Sequence, residues 1–336
     1  MGAMTEVPRR PPRNWKARVR RGQLWTAAVA LLGIIFCEQF QPDALAAVTA
    51  IPPWCWLIAC VGLGSLGLAG ATCWERIVAG VLLFSFLIFS VEQSRSLSRS
   101  AWYSLFNRRE EGHHSHLRVV TINCNVGSRR AAVESTRFDP DIVFLQESPN
   151  EQVVRDMAQS LFGSAASIVW SSDCSIAARG QLRPTSSEAK NFVQATWTRV
   201  DGRTIEVICL RLSPPLVRYD LWAPSCWSDH ASIRRKHRVE AAAVLDALSP
   251  VPVERPILIG GDCNAPSGDG ALLVWSLRLH DAFNSGGRGW GATVLNVLPV
   301  LRFDQLWCSD HLDAVAVWSV KTQYSDHRLV VGDFDM

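Results

Sequence analysis

Charge is nearly absent from residues 24–92 of this 336-residue chain, and three other features are missing elsewhere. The ten cysteines include no paired C-x-x-C and no Cys/His spacing of the zinc kind, which excludes a zinc module. From residue 96 onward there is no basic excess, with 25 Lys/Arg against 26 Asp/Glu, a net charge of −1. A nonspecific nucleic-acid binder neutralises phosphates with surplus Lys and Arg, so nucleic acid is not indicated as a partner by charge, and only a local patch would serve an endonuclease. No internal repeat is visible, which removes solenoid architectures. Cys124, Cys209, Cys263 and Cys308 sit in apolar runs where a small buried thiol is expected. Cys174 and Cys226 are candidates for a disulfide if their domain lies outside the cytoplasm.

What is present divides the chain in two. Residues 1–21 carry seven Lys/Arg against one acid, Glu6. Three uncharged stretches follow, 22–37, 44–74 and 77–91. A spanning helix needs about 20 apolar residues, which the middle stretch exceeds, while flanking Arg20, Arg21, Glu38, Glu75, Arg76 and Glu92 can reach the headgroups for the shorter two. The expected organisation is a basic cytoplasmic tail (1–22), three transmembrane helices (23–95), a polar linker (96–116) and a soluble domain (117–336). With the N-terminus inside, eight basic residues of the short flanking loops fall inside and four outside. Three spans then place the soluble domain outside the cytoplasmic membrane, a multi-pass protein whose first partner is the lipid bilayer. A cleaved signal peptide ending at the A-x-A of residues 44–46 is the rival reading and leaves the domain on the same side. The histidines at 113, 114 and 116 have no acidic or Cys partner in pattern and read as solvated linker.

In the soluble half, short β-branched runs predict strands at 117–122, 141–145, 192–197, 204–210, 257–259, 303–307, 315–320 and 329–331. Helical periodicity appears at 151–161 and 233–248, the latter with an expected apolar stripe of Val239, Ala243, Leu245 and Leu248. The mixture predicts a layered α/β domain. Polar residues stand at the strands' ends, where open α/β sheets bind ligands. They are Asn123 and Asn125 in TINCN, Glu147 in LQES, Asp262 and Asn264 in GGDCN, Asp304 in RFDQ, and Asp326 and His327 in YSDH. Each alone is ordinary turn or capping chemistry; the ordered set, T-x-N, Q-E, G-D-x-N, R-x-D and S-D-H, is specific.

On these motifs the chain from about 117 to 334 resembles the endonuclease/exonuclease/phosphatase superfamily, the DNase I-like phosphoesterases, and its membrane-anchored bacterial branch. The resemblance implies a four-layer α/β sandwich and hydrolysis of phosphate esters with Mg²⁺ or Mn²⁺. Oxygen-only ligands also favour a hard ion independently. On this reading Glu147 holds the ion with Asn123 and Asn125 beside it, and Asp326 supports it from outside. Asp262 positions or deprotonates the attacking water, and Asn264 hydrogen-bonds the phosphate. Asp304 orients His327, which meets the developing negative charge.

Ser-Asp-His occurs three times, at 228–230, 309–311 and 325–327. The last is chosen because a closing strand follows it. The first is expected to lie near the N-cap of the helix from Ile233 and the second to form a turn. The family usually carries a histidine where this chain has Arg211, in CLRLSPP. Arg211 either replaces that histidine or is a surface arginine paired with Asp220 or Glu206. Arg234, Arg235, Lys236 and Arg238 are candidates for further phosphate contacts. The expected function is a membrane-anchored phosphoesterase acting on a lipid headgroup, nucleic acid or small phosphate ester. An endonuclease and a catalytically silent binding module on an anchor are the alternatives.

Overall fold

The computed structural model describes residues 15–106, 117–185 and 191–336. In chain order the first helices are α1 (Trp15–Phe40), α2 (Ala46–Thr49), α3 (Pro53–Gly67), α4 (Cys73–Phe89) and α5 (Glu92–Phe106). The histidines at 113, 114 and 116 lie outside the described residues. The chain folds as two compact units, one holding α1, α3 and α4 and the other holding residues 40–52 and everything from Glu92.

Among the described residues two helices are long and apolar enough to cross a membrane, or up to three if the bent pair α4 and α5 is counted as one span. Thr72 and Glu75 form a capping box at the start of α4, so two otherwise orphaned backbone N–H groups are satisfied there. Glu75 turns inward rather than outward, ion-paired with Arg21 and accepting from Trp25 Nε1 at 2.8 Å. The expected single apolar stretch 44–74 is two things. Its first part carries the short helix α2 and belongs to the second unit, and α3 begins only at Pro53, where a proline suits the first turn of a helix.

Among the described residues the second unit contains twelve strands: β1 (Leu117–Asn123), β2 (Ile142–Gln146), β3 (Ala166–Trp170), β4 (Cys174–Arg179), β5 (Gln181–Pro184), β6 (Phe192–Thr198), β7 (Thr204–Arg211), β8 (Ile257–Asp262), β9 (His280–Asp281), β10 (Asp304–Cys308), β11 (Asp313–Val320) and β12 (Leu329–Asp335). They form two six-stranded sheets, in the orders β11-β12-β1-β2-β4-β3 and β5-β6-β7-β8-β10-β9. The remaining helices are α6 (Arg129–Glu134), α7 (Glu151–Phe162), α8 (Pro224–Ala247) and α9 (Ala282–Gly286).

Three apolar layers glue four structural ones. Leu117, Phe144, Ile176, Trp197, Val207 and Leu306 fill the space between the sheets. Val120, Leu145, Val154 and Met157 pack α6 and α7 on the first sheet, and Ile208, Ile259, Val244 and Trp275 pack α8 on the second. This is the expected four-layer sandwich. One glycine sets how closely the sheets approach, since a Cβ on Gly260 would stand 2.2 Å from the Phe144 ring.

Three features differ from expectation. The helix predicted from Ile233 starts a full two turns earlier, at Pro224, and its buried face is Ala241, Val244 and Leu248, while Val239 is 72% exposed. Cys174 and Cys226 are both free thiols, each buried and donating to a separate backbone carbonyl, Asn191 O and Arg218 O. All of the linker expected at 96–116 that the structure describes belongs to the helix α5, and it docks on its own unit. Glu92, Arg302 and Asp281 form a buried ion trio, with Arg302 Nη2 to Glu92 Oε2 at 2.9 Å. Arg99 donates to the carbonyls of Phe283, Asn284 and Gly287, capping the C-terminal end of α9. Removing one member of such a buried trio costs about 3–5 kcal/mol, because uncompensated charge is left inside.

Candidate active site

Register places the site. β1 and β2 run parallel with Asn123 opposite Gln146, and β7 and β8 run parallel with Arg211 opposite Asp262. β10 starts antiparallel at the same level, Asp304 facing Asp262. The polar ends of five strands, two from one sheet and three from the other, therefore meet at one edge of the sandwich.

The backbone there is held in an unusual state. Asn125, Val126, Glu147 and Asn264 all have left-handed φ, between 45° and 55°. A β-branched residue in that region is an outlier, and such strain persists where surrounding structure over-determines it. Here it aims backbone N–H groups at carboxylates: Val126 N donates to Glu147 Oε2 at 2.6 Å, and Asn264 N to Asp262 Oδ1 at 3.0 Å.

Asn123 is the hub. Its side-chain nitrogen lies 3.2 Å from both Glu147 Oε1 and Asp262 Oδ2, and its Oδ1 accepts from Asn125 N. Half-burial opposes charge on Glu147, yet the Val126 N–H, the Asn123 amide and the charges of Arg211 and His327 hold its carboxyl below the usual range. Asp262 goes the other way: burial and the neighbouring Asp304 raise it to about 6. His327 Nδ1 is 2.8 Å from Asp304 Oδ2. Burial disfavours a charged ring, but the Asp304 carboxylate, with Asp262 and Asp326 behind it, overrides this and raises His327 to about 10. His327 is thus a cation held by a carboxylate, with one ligand atom each of Asp262, Asp304 and His327 within 4.8 Å of one another. Asp304 Oδ1 is buried with no hydrogen-bond partner among the described residues.

Arg211, at the end of β7, pairs with neither Asp220 nor Glu206. Its Nη2 donates to Glu147 Oε1 at 2.8 Å and its Nη1 to Asp173 Oδ1 at 3.2 Å, while Nε is buried with no hydrogen-bond partner among the described residues. Glu206 is instead a buried acceptor for Gln194 and Thr196. Asn264 donates through Nδ2 to Leu212 O. Asn125 and Asp326 stand at the rim, exposed, and their side chains make no hydrogen bond to this group among the described residues. Asp326 contributes charge alone, and Asn125 its backbone turn. Arg234 and Arg238 are engaged elsewhere, Arg234 with Asp269 and Arg238 with Asp43, so neither is available for phosphate contact.

Two members escape sequence reasoning in different ways. Ser325 Oγ donates to Asn123 O and accepts from His327 N, tying the loop to β1, and the repeated Ser-Asp-His tripeptide was its signal. At 309–311 the serine is used on Ile257 N and Asp310 is 98% exposed, a turn as expected. The tripeptide at 228–230 lies inside α8, not at its N-cap, which is Ala223. Asp173, in the turn between β3 and β4, carries no motif at all.

Two carboxylates, Glu147 and Asp262, share one amide nitrogen, and the cations Arg211 and His327 stand beside them. Oxygen donors of this kind fit a hard divalent cation, which Glu147 would hold with Asn123 beside it. The same fold occurs in proteins of known structure. An endonuclease/exonuclease/phosphatase of Bacteroides vulgatus is 13% identical, covering 66% of this chain and 100% of its own, with a TM-score of 0.52. Humanized TDP2 of D. rerio is 16% identical over 66% of this chain and 100% of its own, with a TM-score of 0.51. The mannosyl-6-phosphatase of Bacteroides thetaiotaomicron is 13% identical over the same shares, with a TM-score of 0.50. No curated protein matches the chain. The endonuclease/exonuclease/phosphatase family matches residues 120–327, and with its site and fold described the chain belongs to that family.

Proposed function

We propose that this chain is a membrane-anchored phosphoesterase that needs Mg²⁺ or Mn²⁺ and whose catalytic unit lies outside the cytoplasmic membrane. The observation that carries the reading is the convergence of Glu147, Asn123 and Asp262 with the Asp304–His327 pair at one edge of both sheets. Asp262, buried and raised toward neutrality, orients a water and accepts its proton as it attacks phosphorus. His327, kept protonated by Asp304, stabilises negative charge that develops on the phosphoryl oxygens. Asn264 presents its amide to the same oxygens. A bound divalent ion would polarise a phosphoryl oxygen and steady the leaving oxygen. Asp262 acts on the water and not on phosphorus, and a protonated His327 has no free nitrogen lone pair to attack it, so transfer goes directly to water.

Two experiments test the two halves of this reading. Hydrolysis of bis(p-nitrophenyl) phosphate or p-nitrophenyl phosphate by the full chain in detergent should vanish in excess chelator and return with Mg²⁺ or Mn²⁺. Glu147→Gln should raise the ion concentration needed for half activity by roughly 10–100-fold. Full activity in chelator would end the metal-dependent reading. For topology, a reporter active only outside the cytoplasm, fused after Met336, should be active, and the same reporter fused at Arg76 should be silent. The reverse pattern would put the catalytic unit inside.

A further inference from the structure

The loop that carries His327, residues 322–328, has a neighbour on either side whose outer surface the phosphoesterase reading leaves unused. On one side run residues 293–301, and Asn296 fixes them. Its N–H donates to Asp326 O at 2.8 Å, its Nδ2 to Thr322 O and Ser325 O at 2.8 Å each, and its Oδ1 accepts from Thr322 N at 3.1 Å. Arg328 ties the loop from the far end, donating through Nε to Asn296 O and through its backbone N–H to Thr293 O, both at 2.9 Å. Asn296 is the one polar residue from 294 to 298, and it is spent on these bonds. Leu295, Val297 and Leu298 are left facing solvent, the last two 77% and 71% exposed. Single exposed aliphatic residues need no explanation, but three in four positions, held rigid beside a catalytic histidine, do.

On the other side lies α6 with the turn that follows it. Glu134 accepts from Gln323 N with both oxygens, at 2.8 and 3.0 Å, and the Arg130 guanidinium stands over the Tyr324 ring at 5.3 Å. Arg129, Arg130 and Arg137 are exposed around a shallow open hollow that Tyr324 shares. Among the described residues none of the three pairs with a carboxylate. Of the acids nearby, Glu134 is buried and engaged, and Asp326 is exposed on the catalytic loop itself. The surface on this side is therefore cationic, with a half-exposed tyrosine at its border.

We infer that this rim, the apolar loop on one side of His327 and the arginines of α6 on the other, is a docking face for the surface of an anionic bilayer. Aliphatic side chains at such a surface enter the acyl boundary, while arginine and tyrosine stay at headgroup level. Three unpaired guanidiniums complement anionic headgroups. The same chain carries two or three helices apolar enough to cross a membrane, so a bilayer is the partner always within reach. A polynucleotide would use the arginines but gain nothing from the leucines and valine, since bases stack on aromatic rings. A second copy packed face to face would set like charges against each other. The inference rests on the membrane-anchor reading and adds an orientation, with the catalytic opening turned toward the headgroup layer.

The test is hydroxyl-radical footprinting of the full chain in detergent, in phosphatidylcholine nanodiscs and in nanodiscs that also contain phosphatidylglycerol. Oxidation of Leu295, Leu298 and Tyr324 should fall severalfold in the anionic discs and less in phosphatidylcholine alone. Val200 is the exposed control, because it lies in the turn before β7, at the opposite end of that strand from Arg211, and its oxidation should not change. A basic residue at an anionic surface is worth about fivefold in binding. Arg129→Gln, Arg130→Gln and Arg137→Gln together should therefore bring the anionic discs to the phosphatidylcholine level. Val297→Ser with Leu298→Ser should expose Leu295 and Tyr324 in both kinds of disc. All five positions are on the surface, so melting temperatures should match wild type. Unchanged oxidation of the rim in a chain that has entered the discs would overturn the inference and leave the anchor and phosphoesterase readings standing. The same holds for protection that is equal in both lipids, or that arises in detergent with rising protein concentration or on adding a single-stranded oligonucleotide. A chain that elutes apart from the discs would remove the anchor reading and this inference with it.

Discussion

Asp262→Asn is expected to lower kcat by about 10²–10⁴-fold, the usual worth of a general base, with the fold intact. Asp262 is 1% exposed, its Oδ1 anchors the Asn264 N–H and its Oδ2 faces the Asn123 amide. An asparagine of the same shape can keep the first contact through its oxygen but cannot accept a proton. The substitution also removes the repulsion between two buried carboxylates, since Asp304 is what raises Asp262 beyond its burial. Thermal stability should therefore hold or rise while turnover falls, a combination that simple misfolding cannot give. The direction of the shift adds a pH signature. A base raised to about 6 holds its proton in acid, so wild-type kcat/KM should fall as pH drops through that value. Single-turnover rates and melting curves on the same preparations check both. Near wild-type turnover in Asp262→Asn would displace Asp262 from the mechanism.

The site residues were legible because each sits at the end of a short apolar strand, and strand ends are local events. T-x-N, Q-E, G-D-x-N, R-x-D and S-D-H needed no knowledge of the fold to be seen, only the order in which they come. The layered α/β class followed from the strand and helix signals and the two-sheet sandwich from the family resemblance, though β3, β4, β5 and β9 went unseen: β9 has two residues, and β3 to β5 mix Ala, Ser, Gln and Pro into their runs. What sequence hid are pairings across long separations. Arg302 reads as part of R-x-D, yet its partner Glu92 is 210 residues away and makes α5 part of the catalytic unit. Arg234 and Arg238 look like a basic phosphate cluster until Asp269 and Asp43 are placed against them. The same long-range bonds mislead the reading of 44–52: Ala46 and Ala47 are apolar because they pack in the catalytic unit, and composition alone cannot separate that from lipid. Asp173 is a lone acid in a turn, and only the fold brings it to Arg211.

Arg211→Ala is expected to lower kcat by about 10²–10³-fold, as loss of one preorganised charge-stabilising donor does. The guanidinium stands at the end of β7, opposite Asp262, where it is fixed by Asp173 on one nitrogen and leans on Glu147 with another. Burial works against its charge, but Glu147, Asp173 and Asp262 around it raise its pKa, so it stays cationic at every working pH. A cation fixed there needs no proton to act, unlike the histidine the family usually carries. Its planar fork also suits two phosphate oxygens. Arg211→Lys should recover only part of the rate, because the charge returns without the fork. A competing role is electrostatic only: Arg211 neutralises Glu147 and does nothing for the phosphate. The two separate cleanly in a metal titration. If the role is neutralisation, Arg211→Ala leaves kcat near wild type and tightens the ion, since a positive charge has gone from beside its carboxylate. If the role is on the transition state, kcat falls at saturating metal and stays low. Asp173→Ala should give a milder version of the same defect, with the guanidinium present but less well aimed. An Arg211→Ala enzyme with wild-type kcat at saturating Mg²⁺ would reject the catalytic role for this arginine.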